Sequence, residues 1–192
     1  MSSSKIQIIN SEEELNRLKT GNEKYVASSH SMSNTSKYLR EQTAKHGQEP
    51  VAIVIACSDS RVMPNSIFSA DLGELFVIRV AGNVLDNHQL GSIEYAAAHL
   101  DVKLIIMLGH TGCGAIKAAA DGNTEGYIRY ITDDIRTAIG SEKDDYRATV
   151  LNVEHGVSVI KNAFAEHPEI DSRELKVVGA VYNIDTGVVD WL

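Results

Sequence analysis

Two stretches of this chain are apolar without alternation, and both run straight into chemically active residues. Val51–Ala56 (VAIVIA) leads into Cys57-Ser58-Asp59-Ser60-Arg61, and Leu104–Leu108 (LIIML) leads into Gly109-His110-Thr111-Gly112-Cys113-Gly114. Runs of strand length, rich in β-branched residues and lacking a polar alternate, read as strands buried on both faces. A third run, Leu75–Val80, ends at the permissive turn Ala81-Gly82-Asn83. Leu90, Ile93, Ala97 and Leu100 then recur at helical spacing and predict a crossover helix back to the Leu104 strand. Strand, helix, strand in that order implies a right-handed parallel unit. Pro64–Ala70 reads as a turn of helix, and further helical regions are expected after Gly114, over Asn123–Ile139 and over Thr149–Ala165. Glu174–Tyr182 and Val188–Trp191 read as closing strands around the turn Asp185-Thr186-Gly187. Ahead of the first strand, Ser11-Glu12-Glu13-Glu14 has a capping-box pattern, and Leu15, Leu18, Tyr25 and Val26 extend a helix from there to about Ala27. Lys37–Lys45 suggests a second, short helix.

These elements predict an α/β fold: a central, mostly parallel β-sheet with flanking helices and an N-terminal helical arm. The expectation is one domain over residues 1–192, with the arm over 1–46 and the α/β core over 47–192. A chain of 192 residues with 43% hydrophobic content is enough to fill one core. Eighteen basic against 26 acidic residues give a net charge of −8, which disfavours nucleic acid and anionic membrane as partners. The N-terminus, MSSSKIQIINSEEE, lacks the apolar core of a secretory signal, and no apolar run approaches membrane-spanning length. The expected setting is the cytoplasm, where two cysteines are metal ligands or catalytic groups more often than a structural disulfide.

In an open parallel sheet the chemistry sits outside the carboxyl ends of the strands, where Cys57, His110 and Cys113 fall. Two thiolates and an imidazole suit zinc, and three protein ligands leave the fourth tetrahedral position to water, the catalytic pattern. The plainer alternative keeps the cysteines as small buried hydrophobes and the histidine as a hydrogen-bonded core residue. Asp59 and Arg61 beside Cys57 read either as an acid with its counter-ion or as an ordinary surface pair. Gly112-Cys113-Gly114-Ala115-Ile116-Lys117 imitates a dinucleotide-binding turn, but that reading leaves Cys57, Asp59 and Arg61 unexplained.

Taken together, Cys57-Ser58-Asp59-Ser60-Arg61 and His110-Thr111-Gly112-Cys113-Gly114 resemble the β-class carbonic anhydrases. Leu18-Lys19-Thr20-Gly21-Asn22, Arg79-Val80-Ala81-Gly82-Asn83 and Gly179-Ala180-Val181-Tyr182 resemble further motifs of that family, so the likeness covers most of the chain. It implies one zinc ion per subunit on Cys57, His110 and Cys113, and reversible hydration of carbon dioxide to bicarbonate and a proton. Water activated at the metal would be oriented by an Asp59–Arg61 dyad, in a homodimer or homotetramer. By the same resemblance Gln48 binds substrate from the partner subunit, Phe76, Ala81, Gly82 and Tyr95 line an apolar cleft, and Gly114 offers a backbone amide. Arg79 and Tyr182 match a noncatalytic bicarbonate pocket of some members, but Val54 replaces its tryptophan, and regulation of that form is not expected. Asn183 stands where many members carry aspartate. His88 is a candidate proton shuttle. The rival functions are hydrolysis of carbonyl sulfide or carbon disulfide on the same scaffold, and a non-catalytic zinc-binding regulator.

Overall fold

A computed structural model describes residues 10–30, 33–122 and 125–192. Its strands are β1 (Ala52–Ala56), β2 (Leu75–Arg79), β3 (Leu104–His110), β4 (Lys176–Tyr182) and β5 (Val189–Trp191), joined in one sheet of order β2-β1-β3-β4-β5. β1 pairs parallel with β2 and β3, β3 pairs parallel with β4, and β5 alone runs antiparallel. The helices are α1 (Ser11–Ala27), α2 (Lys37–His46), α3 (Pro64–Ile67), α4 (Asn87–His99), α5 (Gly114–Ala120), α6 (Ile128–Ile139) and α7 (Asp145–Ala163), with a 3-10 turn at Ala81–Asn83. The α/β architecture with a mostly parallel sheet is therefore as expected. Among the described residues no helix is long and apolar enough to cross a membrane.

Every residue of β1 and β3 is buried, which is why neither strand alternates. Successive side chains still point to opposite layers. Ala52, Val54, Ala56, Leu104, Ile106 and Leu108 pack with Leu15 and Leu18 of α1 and Ile67 of α3. Ile53, Ile55, Ile105 and Met107 pack on the other side with Ile93 of α4 and Val153 of α7. A third cluster, Ile116, Ala119, Ile135, Ile139 and Ala148, gathers α5, α6 and α7 around Cys57 and Cys113. The reactive residues thus leave the sheet into an apolar, well-packed surround.

The N-terminal helices behave differently from each other. α1 is fastened to the core by Asn22, which is buried: its Nδ2 donates to Ile67 O (3.1 Å) and Gly187 O (2.9 Å), and its Oδ1 accepts from Val189 N (3.0 Å). α2 buries none of its side chains. The cap of α1 is Asn10 rather than Ser11, its side chain accepting from Glu12 N at 3.0 Å. Asparagine caps as well as serine does, and Glu12–Glu14 remain in the first turn, where the helix dipole favours them. α7 begins four residues before the expected Thr149, because Asp144 caps it through Arg147 N at 2.8 Å. The helical region expected over Asn123–Ile139 starts at Ile128, while Asn123 lies outside the described residues.

Candidate metal centre

β1 and β3 are adjacent and parallel, with Ala56 opposite Leu108, so Cys57 and His110 emerge side by side from the same edge. Cys113 follows through a turn that requires Gly112, at φ +66°. The candidate ligand atoms of Cys57, His110 and Cys113 lie within 4.8 Å of one another, and all three residues are buried. His110 Nδ1 lies 3.0 Å from Thr111 O. A carbonyl can only accept, so Nδ1 carries the hydrogen and Nε2 keeps its lone pair. That Nε2 is buried and has no hydrogen-bond partner among the described residues. An orphaned imidazole nitrogen beside two sulfurs, its ring fixed by a carbonyl on the far side, is the arrangement of a metal-ligating histidine.

The two sulfurs do not ionise alike. The Cys57 thiol is held below its ordinary range, first by the hydrogen bond from the Cys113 thiol, against burial, and further by the backbone amides of Asp59 and Gly82. Those amides lie 3.4 and 3.3 Å from its Sγ. Cys113 is pushed up because it donates to Cys57 and is itself buried. Two buried sulfurs close enough to share a proton make a pocket in which a soft divalent cation can take the proton's place.

The Asp59 carboxylate is committed elsewhere. Arg61 Nε donates to Oδ1 (2.9 Å), Arg61 Nη2 to Oδ2 (2.7 Å), and the Arg61 amide to Oδ1 (3.0 Å). The Arg61 side chain and amide hold this carboxyl well below the usual range. Arg61 also reaches Gly112 O at 3.3 Å, tying the loop after β1 to the loop after β3. Arg79, at the end of β2, clamps the loop from beneath, Nε to Cys57 O (3.0 Å) and Nη2 to Asp59 O (2.6 Å).

The other expected site residues divide into two groups. Ala81 and Gly82 lie beside the sulfurs: the Gly82 amide reaches Cys57 Sγ, and a Cβ at Gly82 would stand 2.7 Å from Ile135 Cδ1. Gly114 opens α5 directly after Cys113. Gln48 is exposed ahead of the amino end of β1, whereas Cys57 follows its carboxyl end. Phe76 pairs with Ile53 in the sheet, roughly 13 Å before Cys57, and its ring lies 6.2 Å from that of Tyr95. The chain therefore gathers Phe76 with Tyr95 but brings neither them nor Gln48 to its own sulfurs. His88 sits on the surface at the start of α4, its side chain 93% exposed beside Asp86.

Several supporting residues were missed in the sequence. Asp145 Oδ2 accepts from Gly112 N at 2.8 Å, and Asn152 Nδ2 donates to Gly82 O at 3.0 Å. Asn152 has one local signal, being a polar residue between Leu151 and Val153 on the buried face of α7. Tyr182 is engaged with Tyr25, their hydroxyls 3.1 Å apart, and Val54 is fully buried in β1. Asn183 Oδ1 accepts from the amides of Asp185 (3.0 Å) and Thr186 (3.2 Å), so it closes the turn between β4 and β5.

Residues 52–189 match the family model described as carbonic anhydrase. The chain is 37% identical over 181 residues to carbonic anhydrase 2 of Mycobacterium tuberculosis, spanning 88% of this chain and 87% of that one. Among solved structures it resembles the Coccomyxa β-carbonic anhydrase in complex with acetazolamide, at 31% identity and TM-score 0.64, covering 81% and 82% of the two chains. It also resembles the tetrameric β-carbonic anhydrases of Sordaria macrospora, at 29% identity and TM-score 0.65, covering 81% and 91%. A matched segment that spans all four parallel strands, together with a Cys-His-Cys cluster at their carboxyl edge, shows that the chain belongs to the β-class carbonic anhydrase family.

Proposed function

We propose that this enzyme catalyses the reversible hydration of carbon dioxide to bicarbonate and a proton, with one zinc ion per subunit held by Cys57, His110 and Cys113. The observation that carries the reading is the orphaned Nε2 of His110 beside two buried sulfurs. Thiolate and imidazole donors suit zinc and ill suit magnesium or calcium. Bound there, zinc supplies the Lewis acidity that makes water a nucleophile near neutral pH.

The chain's own residues supply orientation and charge. Asp59, kept ionised by Arg61, can only accept a hydrogen bond, so it orients a reacting water and rejects anions that have no proton to donate. The amide of Gly114, in the turn after Cys113, offers a donor to charge developing on the substrate oxygen. Ala81 and Gly82 present little beyond backbone and methyl, which leaves room for a small linear molecule.

The placement of Gln48, Phe76 and Tyr95 away from their own sulfurs supports a site completed by a second copy, with a homodimer as the smallest working unit and a homotetramer as its pairing. A cytoplasmic setting fits two free, buried cysteines that must stay reduced to act as ligands.

Zinc analysis and stopped-flow hydration of carbon dioxide on wild type, Cys57→Ser and Asp59→Asn test the reading. Cys57→Ser should lose metal and rate, while Asp59→Asn should keep metal and lose rate. Full activity of metal-stripped wild type would end it.

A further inference from the structure

The turn that supports Cys57 has a second face. Gly82 (φ +68°) and Asn83 (φ +45°) are both left-handed, so the chain reverses sharply between Val80 and Val84. On one side of this turn the Gly82 amide points at Cys57 Sγ; from the other, Asn152 of α7 donates to the Gly82 carbonyl. Asn83 has 0% exposure, and neither its Oδ1 nor its Nδ2 has a hydrogen-bond partner among the described residues. A buried primary amide without partners is costly, because each unmade bond leaves the full desolvation penalty of its group, and native proteins do not leave such a group unsatisfied without cause.

Asn83 lines a chamber of about 90 Å³ between the turn, α6 and α7. Met107, Asn152 and Gly156 form further walls, and Asp134 and His155, both exposed, stand at its opening to solvent. That volume admits several waters but not a ligand of cofactor size, and the polar groups around it suffice for the two to four hydrogen bonds an ordered water needs. None of the proposed metal ligands lines the chamber.

We propose that this chamber is a hydration site behind the metal centre, where ordered water binds both ends of the Asn83 amide and makes Asn83 a positioning residue for the Cys57 thiolate. The inference rests on the assignment of Cys57 as a metal ligand. The chain of contact is short: water holds the Asn83 side chain, Asn152 holds the Gly82 carbonyl, and the turn that carries both presents the Gly82 amide to the sulfur. Outer-shell groups that orient a metal ligand in this way change metal affinity by about 10- to 100-fold when removed. Asparagine suits the position twice over, since it tolerates the left-handed backbone and carries a donor beside an acceptor.

Asn83→Gly separates these two properties, because glycine keeps the backbone conformation and removes only the amide. In chelator competition its zinc dissociation constant should rise at least tenfold over wild type. The sulfur-to-metal absorption of the cobalt-loaded variant should shift, while circular dichroism confirms the fold. A crystal structure of zinc-loaded wild type should show water on both Oδ1 and Nδ2 of Asn83, a readout that does not depend on the variant folding. Unchanged zinc affinity and cobalt spectrum in Asn83→Gly, or an Asn83 amide paired only with protein atoms, would overturn the proposal while the metal centre stands. Failure of wild type itself to bind zinc would overturn the metal assignment, and this inference with it.

Discussion

Arg79 is the sharpest place to perturb the centre without touching a proposed ligand. Its guanidinium spans two carbonyls of one loop, those of Cys57 at 3.0 Å and Asp59 at 2.6 Å, and so fixes the residue proposed to hold metal relative to the residue proposed to orient water. Arg79→Lys keeps the charge but loses the fork, since an ammonium on a flexible stem cannot meet both acceptors in the same geometry. A hydrogen bond from a charged group contributes about 1.5–3 kcal/mol. Arg79 is exposed, so solvent competes and the value falls to the bottom of that range or below it, about 1–1.5 kcal/mol for the bond lost. That corresponds to a fall of roughly five- to tenfold in kcat/KM for carbon dioxide hydration, measured by stopped flow, with zinc affinity from chelator competition falling by a comparable factor. Arg79→Met removes both bonds and should lower each quantity by roughly 25- to 100-fold if the two bonds act independently. If Arg79→Met stays within about twofold of wild type in both assays, the loop is held by something else and the reasoning fails.

Asn22→Leu should destabilise the protein by about 3–5 kcal/mol in chemical denaturation, because the carbonyls of Ile67 and Gly187 and the amide of Val189 lose their buried partner together; a loss under about 1 kcal/mol would show that water replaces it. Gly109→Ala places a methyl 2.6 Å from Val153 Cγ2 and 2.8 Å from Thr149 Cγ2, both on stiff β-branched side chains, so α7 must shift off β3 at a cost of about 1–3 kcal/mol, visible as a lowered thermal midpoint. Tyr182 is pushed above the ordinary phenol range by burial and then by Tyr25. Its raised value in the folded state contributes stability that is fully present below about pH 10 and is lost as pH climbs through that raised value. Alkaline difference titration of wild type against Tyr182→Phe should therefore show one phenol ionising late, and ionisation near pH 10 would contradict this.

Much of this arrangement is legible along the chain, for reasons that vary by element. β1 and β3 announce themselves because burial on both faces removes every polar alternate. Cys57, His110 and Cys113 stand out because thiols and imidazole are few and two of the three end strands. Asp59 with Arg61 is equally local, a carboxylate and a guanidinium two positions apart. What escapes notice is support from a distance. Asp145 on Gly112 and Asn152 on Gly82 depend on where α7 crosses the sheet, and no spacing in the chain encodes that crossing. Arg79 is visible as a motif residue, but its grip on the Cys57 loop follows only from β2 lying beside β1. The start of α7 is obscured because its first turn, Asp145-Tyr146-Arg147, lacks the apolar stripe by which helices are recognised, although Asp144 is an ordinary cap.

β1 and β3 are neighbours in space, yet β2 and α4 lie between them along the chain, so the two sulfurs and the imidazole exist as a set only once both strands have docked with Ala56 facing Leu108. A slip of a single position would carry Cys57 about 3.3 Å along the sheet and turn its side chain toward the opposite layer. An ion gripped by all three donors, as proposed, would therefore proofread strand alignment: it would strengthen one pairing, ignore its near misses, and find nothing to hold on a nascent chain whose crossover is unfinished.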